Sequence, residues 1–165
     1  MNAAHFQKLF DYNYWAHRIV WDCVLKLSDE QYYRPCDYSI GSVHNQVAHT
    51  YAAEYLWLGR CRQDAAPRFP ALDEYPDRAA LRAAWDELES QWRAFVNQLD
   101  DQVLGQTLEY VSIHGNQKRS DKLWEMLSQV LNHGTDHRAQ TLALLHQIGG
   151  ETLEQDFIFY AWGIY

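Results

Sequence analysis

From about Lys122 to Gln147 the chain carries Met126, Val130, His133, His137, Thr141 and Leu144 at intervals of three and four residues, with Gly149-Gly150 as a stop behind them. A strand cannot keep such residues on one face, because its side chains alternate; a helix, with 3.6 residues per turn, can. A long helix with one mostly apolar face must lay that face against other elements. Two earlier segments repeat the pattern. Asn2 to roughly Leu27 spaces Phe6, Leu9, Phe10, Tyr14, Trp21 and Leu25 helically and ends near Ser28-Asp29. Ser42 is placed to cap a second helix running to about Cys61, with Val43, Val47, Tyr51, Tyr55 and Leu58 on a continuous stripe.

The connections read differently. Gln63 to Pro76 holds Pro67, Pro70 and Pro76 and is expected to be extended, with Asp77 capping a third helix that runs to about Leu99. Between Asp100 and Asp121 the stretch Thr107-Leu108-Glu109-Tyr110-Val111 alternates and is β-prone, and His114-Gly115-Asn116 is turn chemistry. These segments predict an all-α four-helix bundle with a small β-hairpin inserted before the last long helix, the longest helix spanning roughly 35–40 Å. No internal repeat or second domain is visible, so residues 1–165 are expected to form one domain. The apolar tail Asp156-Phe157-Ile158-Phe159-Tyr160-Ala161-Trp162 is expected to pack over the bundle or to join an oligomer interface.

Size and charge narrow the function. At 165 residues, with seven Trp and eleven Tyr, the chain can bury a core without disulfides or a structural metal. A net charge of −8 argues against nucleic acid as a partner, since phosphate binding draws on Lys and Arg clusters and Gln117-Lys118-Arg119 is too short a run to supply one. The start Met1-Asn2-Ala3-Ala4-His5 has no signal-peptide pattern, and no segment has the length to cross a bilayer, so a soluble cytoplasmic protein that does not engage membranes is expected. Cys23, Cys36 and Cys61 are odd in number and lack a CxxC pair, which fits inert thiols in a reducing compartment.

His133 and His137 lie four residues apart, about one helical turn, so both imidazoles project from one face and can grip one ion. A third nitrogen from another helix would complete a site with an open fourth position, as in catalytic zinc centres. His49 lies alone in the second helix, but spacing does not choose the third ligand. His5, His17, His44, His114 and His146 are read as surface or hydrogen-bonded core residues. The segment His133-Gly134-Thr135-Asp136-His137 lacks the Glu that follows the first histidine in zinc proteases. Too few inward Glu residues with Glu-x-x-His spacing are present for a di-iron bundle. Asn45, one turn before His49, and Gln140, nearly one turn after His137, are placed to line the pocket or orient ligands, interhelical hydrogen bonding being their plainer role. Arg138 points about 100° away from His137. Trp15 and Trp57 are read as packing groups.

The segment Leu131-Asn132-His133-Gly134-Thr135-Asp136-His137-Arg138-Ala139-Gln140 resembles the NHGxxHRxQ signature of the DinB/YfiT-like family. Asp11-Tyr12-Asn13-Tyr14-Trp15-Ala16, then Val47-Ala48-His49-Thr50-Tyr51-Ala52-Ala53-Glu54, and the closing Asp156-Phe157-Ile158 match in order, so the likeness spans nearly the whole chain. It implies an up-down-down-up bundle, commonly dimeric, with His49 joining His133 and His137 around a divalent ion. Asn13, in the first matching segment, would reach the open side of that ion. Members of known activity include metal-dependent transferases that activate a low-molecular-weight thiol such as bacillithiol, mycothiol or glutathione, while many others have no known reaction. Ala139 departs from the usual Gly of the family and leaves the ligand set intact.

The expected function is therefore metal-dependent transfer of a thiol to a small electrophile, or its hydrolysis, with one divalent ion, zinc or nickel, as cofactor and a low-molecular-weight thiol as a candidate co-substrate. The rival is a non-catalytic metal-binding or stress-response bundle. Asn13, Asn45 and Gln140 are the candidate cofactor-binding residues and His49, His133 and His137 the candidate ligands.

Overall fold

A computed structural model describes residues 2–75, 77–113 and 115–164. Pro76 of the proline-bearing connection and His114 of the expected turn lie outside the described residues, as do Met1 and Tyr165. The elements in chain order are α1 (Ala3–Leu25), α2 (Asp29–Tyr33), α3 (Val43–Arg62), α4 (Arg78–Asn97), β1 (Thr107–Val111), β2 (Lys118–Lys122), α5 (Leu123–Gln147) and α6 (Phe157–Trp162). Short 3₁₀ turns sit at Leu72–Glu74 and Val103–Gly105.

Helix starts follow capping chemistry. The side chains of Asn2, Ser42 and Asp77 accept from the backbone N–H three residues on, at 2.9, 3.0 and 2.8 Å. Ser28, expected only to mark the end of the first helix, also begins α2. Its hydroxyl accepts from the Gln31 N–H, and the Gln31 side chain accepts from the Ser28 N–H.

Side-chain contacts between helices give their directions. Trp85 and Trp92 of α4 donate to the carbonyls of Val47 and Glu54 in α3, so α3 and α4 run parallel. Gln7 of α1 reaches the Val96 carbonyl and Arg78 reaches that of Val24, which makes α1 and α4 antiparallel. Gln46 and His49 of α3 face His137 and His133 of α5, so that pair is antiparallel and α5 runs with α1. The order is up-down-down-up. Consecutive parallel neighbours force the chain between α3 and α4 back along the whole bundle, about 30 Å for a 20-residue helix. An extended, proline-bearing segment spans that distance in few residues.

The core is built from the inward stripes: Phe6, Phe10 and Trp21 from α1, Val43, Val47 and Leu58 from α3, Leu81, Trp85 and Trp92 from α4, and Met126, Leu127 and Leu144 from α5. Phe10 stacks on Trp92 with centroids 4.9 Å apart. The hairpin pairs β1 and β2 antiparallel with Thr107 opposite Lys122 and Val111 opposite Lys118. Gly115 and Asn116 take positive φ at its tip (74° and 55°), which suits that Gly-Asn pair. The tail folds as α6, with Phe157 and Tyr160 against Tyr12 of α1. Ile158 and Trp162 stay exposed. Among the described residues, no helix is long and apolar enough to cross a membrane.

Candidate metal centre

The antiparallel packing of α3 on α5 brings His49 against the His133–His137 pair. Potential ligand atoms of the three rings all lie within 4.8 Å of one another. Ring centroids are 4.2 Å apart for His133–His137, 4.6 Å for His49–His137 and 5.4 Å for His49–His133. Burial lowers the pKa of all three, and for His133 and His137 the crowding adds to it. His137 is lowered to about 4 by burial first, then by His133 and His49. His133 is lowered by burial and His49, and His49 by burial. Neutral imidazoles are the state a divalent ion requires, and these ring nitrogens lie close enough together to share one, so this donor set fits it.

The neighbouring polar groups divide by helix. Gln46, which sequence reasoning passed over, sets its side-chain amide 2.9 Å from His137 Nδ1 and donates to Gln140 Oε1 at 2.8 Å. Gln140 in turn donates to Asp136 at 2.9 Å and accepts from Ser39, whose positive φ of 51° turns the loop before α3 toward α5. Gln140 therefore reaches the site through Gln46. Asn45 turns the other way and donates to the Ile40 carbonyl at 3.0 Å, tying down the same loop.

Asn13 sits in a second cluster on the α1 side of α5. Glu54, 1% exposed, accepts from His17 Nε2 at 2.9 Å, from Tyr14 at 2.9 Å and from Asn13 at 3.3 Å. Burial pushes the Glu54 carboxyl up, but His17, Tyr14 and Asn13 outweigh it and hold the group below the usual carboxylate range. Arg138 lies among them, donating to Asn13 Oδ1, to Gln155 at 2.7 Å and to Thr135 at 3.1 Å. As expected from the helical angle, it turns away from the ligand face. Gly134 makes the crossing possible: a Cβ there would lie 2.9 Å from Asn13 Oδ1 and 3.2 Å from Arg138 Nη1.

On the opposite side, toward the hairpin, a cavity of about 300 Å³ is lined by His49, Trp57, Arg60, Phe69, Tyr110 and His133, among others. Two of the three imidazoles, His49 and His133, thus border this space. Trp57, read from sequence as a packing group, both packs on the core and walls this cavity. Arg60 was not singled out. The signal was present, since His49, Ala53, Leu56, Trp57 and Arg60 continue one stripe down α3 and end it on a cation.

An up-down-down-up helical bundle with three histidines converging from two helices defines the class of the protein. Residues 1–164 match the DinB family. The chain belongs to that family. It is 24% identical over 160 residues to Protein DinB of Bacillus subtilis (strain 168), covering 93% of this chain and 91% of that protein. The crystal structure of a DinB-like protein from Bacillus cereus ATCC 10987 matches the fold with a TM-score of 0.65 at 17% identity, covering 93% of this chain and 97% of the other.

Proposed function

We propose that this protein is a metal-dependent enzyme that joins a thiol to a small electrophile or hydrolyses that electrophile. The observation carrying the reading is that His49, His133 and His137 converge and that two of them, His49 and His133, line a cavity of about 300 Å³, small-molecule size. A divalent ion held there, zinc or nickel, supplies Lewis acidity, lowering the pKa of a thiol or water beside it. The chain's own residues hold and shield. Gln46 and Gln140 brace His137, while Trp57, Phe69 and Tyr110 enclose the substrate and exclude bulk water. The family resemblance supports a low-molecular-weight thiol as co-substrate, and the apolar side chains left exposed on α6 support a homodimer, which sedimentation would test. We place the protein in the cytoplasm.

Purified protein supplied with zinc or nickel is expected to take up about one ion per chain. His133→Ala and His137→Ala should each abolish tight binding, and His49→Ala should weaken it severely. Loaded protein should then conjugate glutathione, bacillithiol or mycothiol to monochlorobimane, at rates that fall by orders of magnitude on chelation. Metal-dependent ester or amide cleavage without thiol selects the hydrolase form. Tight binding without turnover across a broad thiol and electrophile panel selects the non-catalytic rival, and absence of metal uptake removes the site.

A further inference from the structure

Arg60 is 4% exposed, yet among the described residues no carboxylate pairs with it. Its Nη2 donates to the Val111 carbonyl at 2.8 Å. Its guanidinium is held between two rings, with Cζ 4.6 Å from the Trp57 centroid and 4.5 Å from that of Tyr110. Its Nε has no partner, and among the described residues it is the buried side-chain nitrogen or oxygen left in that condition. Leaving a cationic donor buried and unpaired is costly unless something else satisfies it. The cavity that Arg60 lines also contains His49 and His133.

We propose that Arg60 is an anion anchor, and that the small molecule received by this cavity carries a carboxylate, held by Arg60 while its nucleophilic or electrophilic end lies toward the three histidines. The aromatic faces cover the two sides of the guanidinium and leave its edge, the part that recognises a carboxylate, as the available surface. The backbone bond to Val111 fixes that edge without neutralising it. The cavity is at the small end of ligand sites, which favours a compact acid over a polymer. A net charge of −8 provides no long-range attraction for such a ligand, so its selection must be local.

This inference rests on the metal-dependent reading for the position of the second end, and the test separates the two. Zinc-loaded protein is titrated calorimetrically with 3-mercaptopropionate and with its methyl ester, in the wild type and in Arg60→Met, which keeps an apolar stem between the rings. The acid should bind at least about tenfold tighter than the ester to the wild type. In Arg60→Met that preference should vanish, with ester and zinc affinities unchanged. Equal affinities in the wild type, or a preserved preference in the variant, overturn the anchor. If neither thiol binds, the thiol reading fails, and the anchor is read on wild-type, metal-free protein from the Arg60 Nε–H resonance with succinate. A saturable shift upholds the anchor; no shift overturns it.

Discussion

Among the described residues two arginines are buried, and their surroundings could hardly differ more. Arg138, on the α1 side of α5, reaches Asn13, Gln155 and Thr135 and has the Glu54 carboxylate close by through shared partners. Arg60, on the hairpin side, has two rings, one carbonyl and an unpartnered Nε. The first cluster is complete in itself and has nothing left to offer a ligand. The second is incomplete and borders a cavity. Inside the bundle, completeness separates polar groups that hold the fold from those that await a partner.

The sharpest way to break this contrast is to remove the anion on the closed side. Glu54→Ala strands Arg138 in the interior and should cost about 3–5 kcal/mol in denaturant unfolding, whereas Arg60→Met, which removes a charge that had no counter-ion, should change stability by less than about 1 kcal/mol. Similar losses in the two variants would mean that Arg60 is structural and the contrast false.

Next in size is the pH response of the histidines. Burial, with His133 and His49 beside it, lowers the His137 pKa from the ordinary 6.5 to about 4, so between these values the unfolded chain binds more protons. The resulting stability is complete above about 6.5 and is lost as pH falls toward 4 in metal-free protein. His137→Gln should remove that share of the slope between pH 7 and pH 4.5, and an unchanged slope would place the titration elsewhere. The smallest effect is expected at Gly134. Alanine gains up to about 1 kcal/mol of helix propensity but overpacks the Asn13–Arg138 crossing at a cost of about 1–3 kcal/mol. The net should be a loss of about 1 kcal/mol, visible as a lowered Tm.

How much of this was legible in the chain depends on the range of the interaction. The four long helices follow local periodicity and caps: Ser42 and Asp77 begin α3 and α4 as expected, and α5 ends at Gln147. The hairpin strand Thr107–Val111 was equally local. α2 escaped because its five residues are too few to show a period, although Ser28 and Gln31 carry its capping box. The i,i+4 pair His133 and His137 was readable from spacing, while His49 came only from the family resemblance, since no local rule says which turn of α3 faces α5. Asn45 was placed by helical spacing and Asn13 by the family resemblance, but their hydrogen bonds go to the Ile40 carbonyl and to Glu54, which lie on other elements or loops. Arg60 ends a stripe of α3 that the spacing shows, but its burial between Trp57 and Tyr110 depends on the hairpin, a long-range contact.

The up-down-down-up path has a kinetic consequence. Because α1 and α5 are neighbours, Arg138 meets Asn13 across 125 residues of chain, and His49 meets His137 only when the same helix docks. Such contacts are paid for in loop-closure entropy before they return any energy, so topologies rich in them fold slowly for helical proteins. α3 and α4, joined by a single connection and keyed by Trp85 and Trp92, can associate earlier. The three imidazoles come together only when α5 docks on α3, so an ion that binds them reports a chain in which that long-range packing is in place.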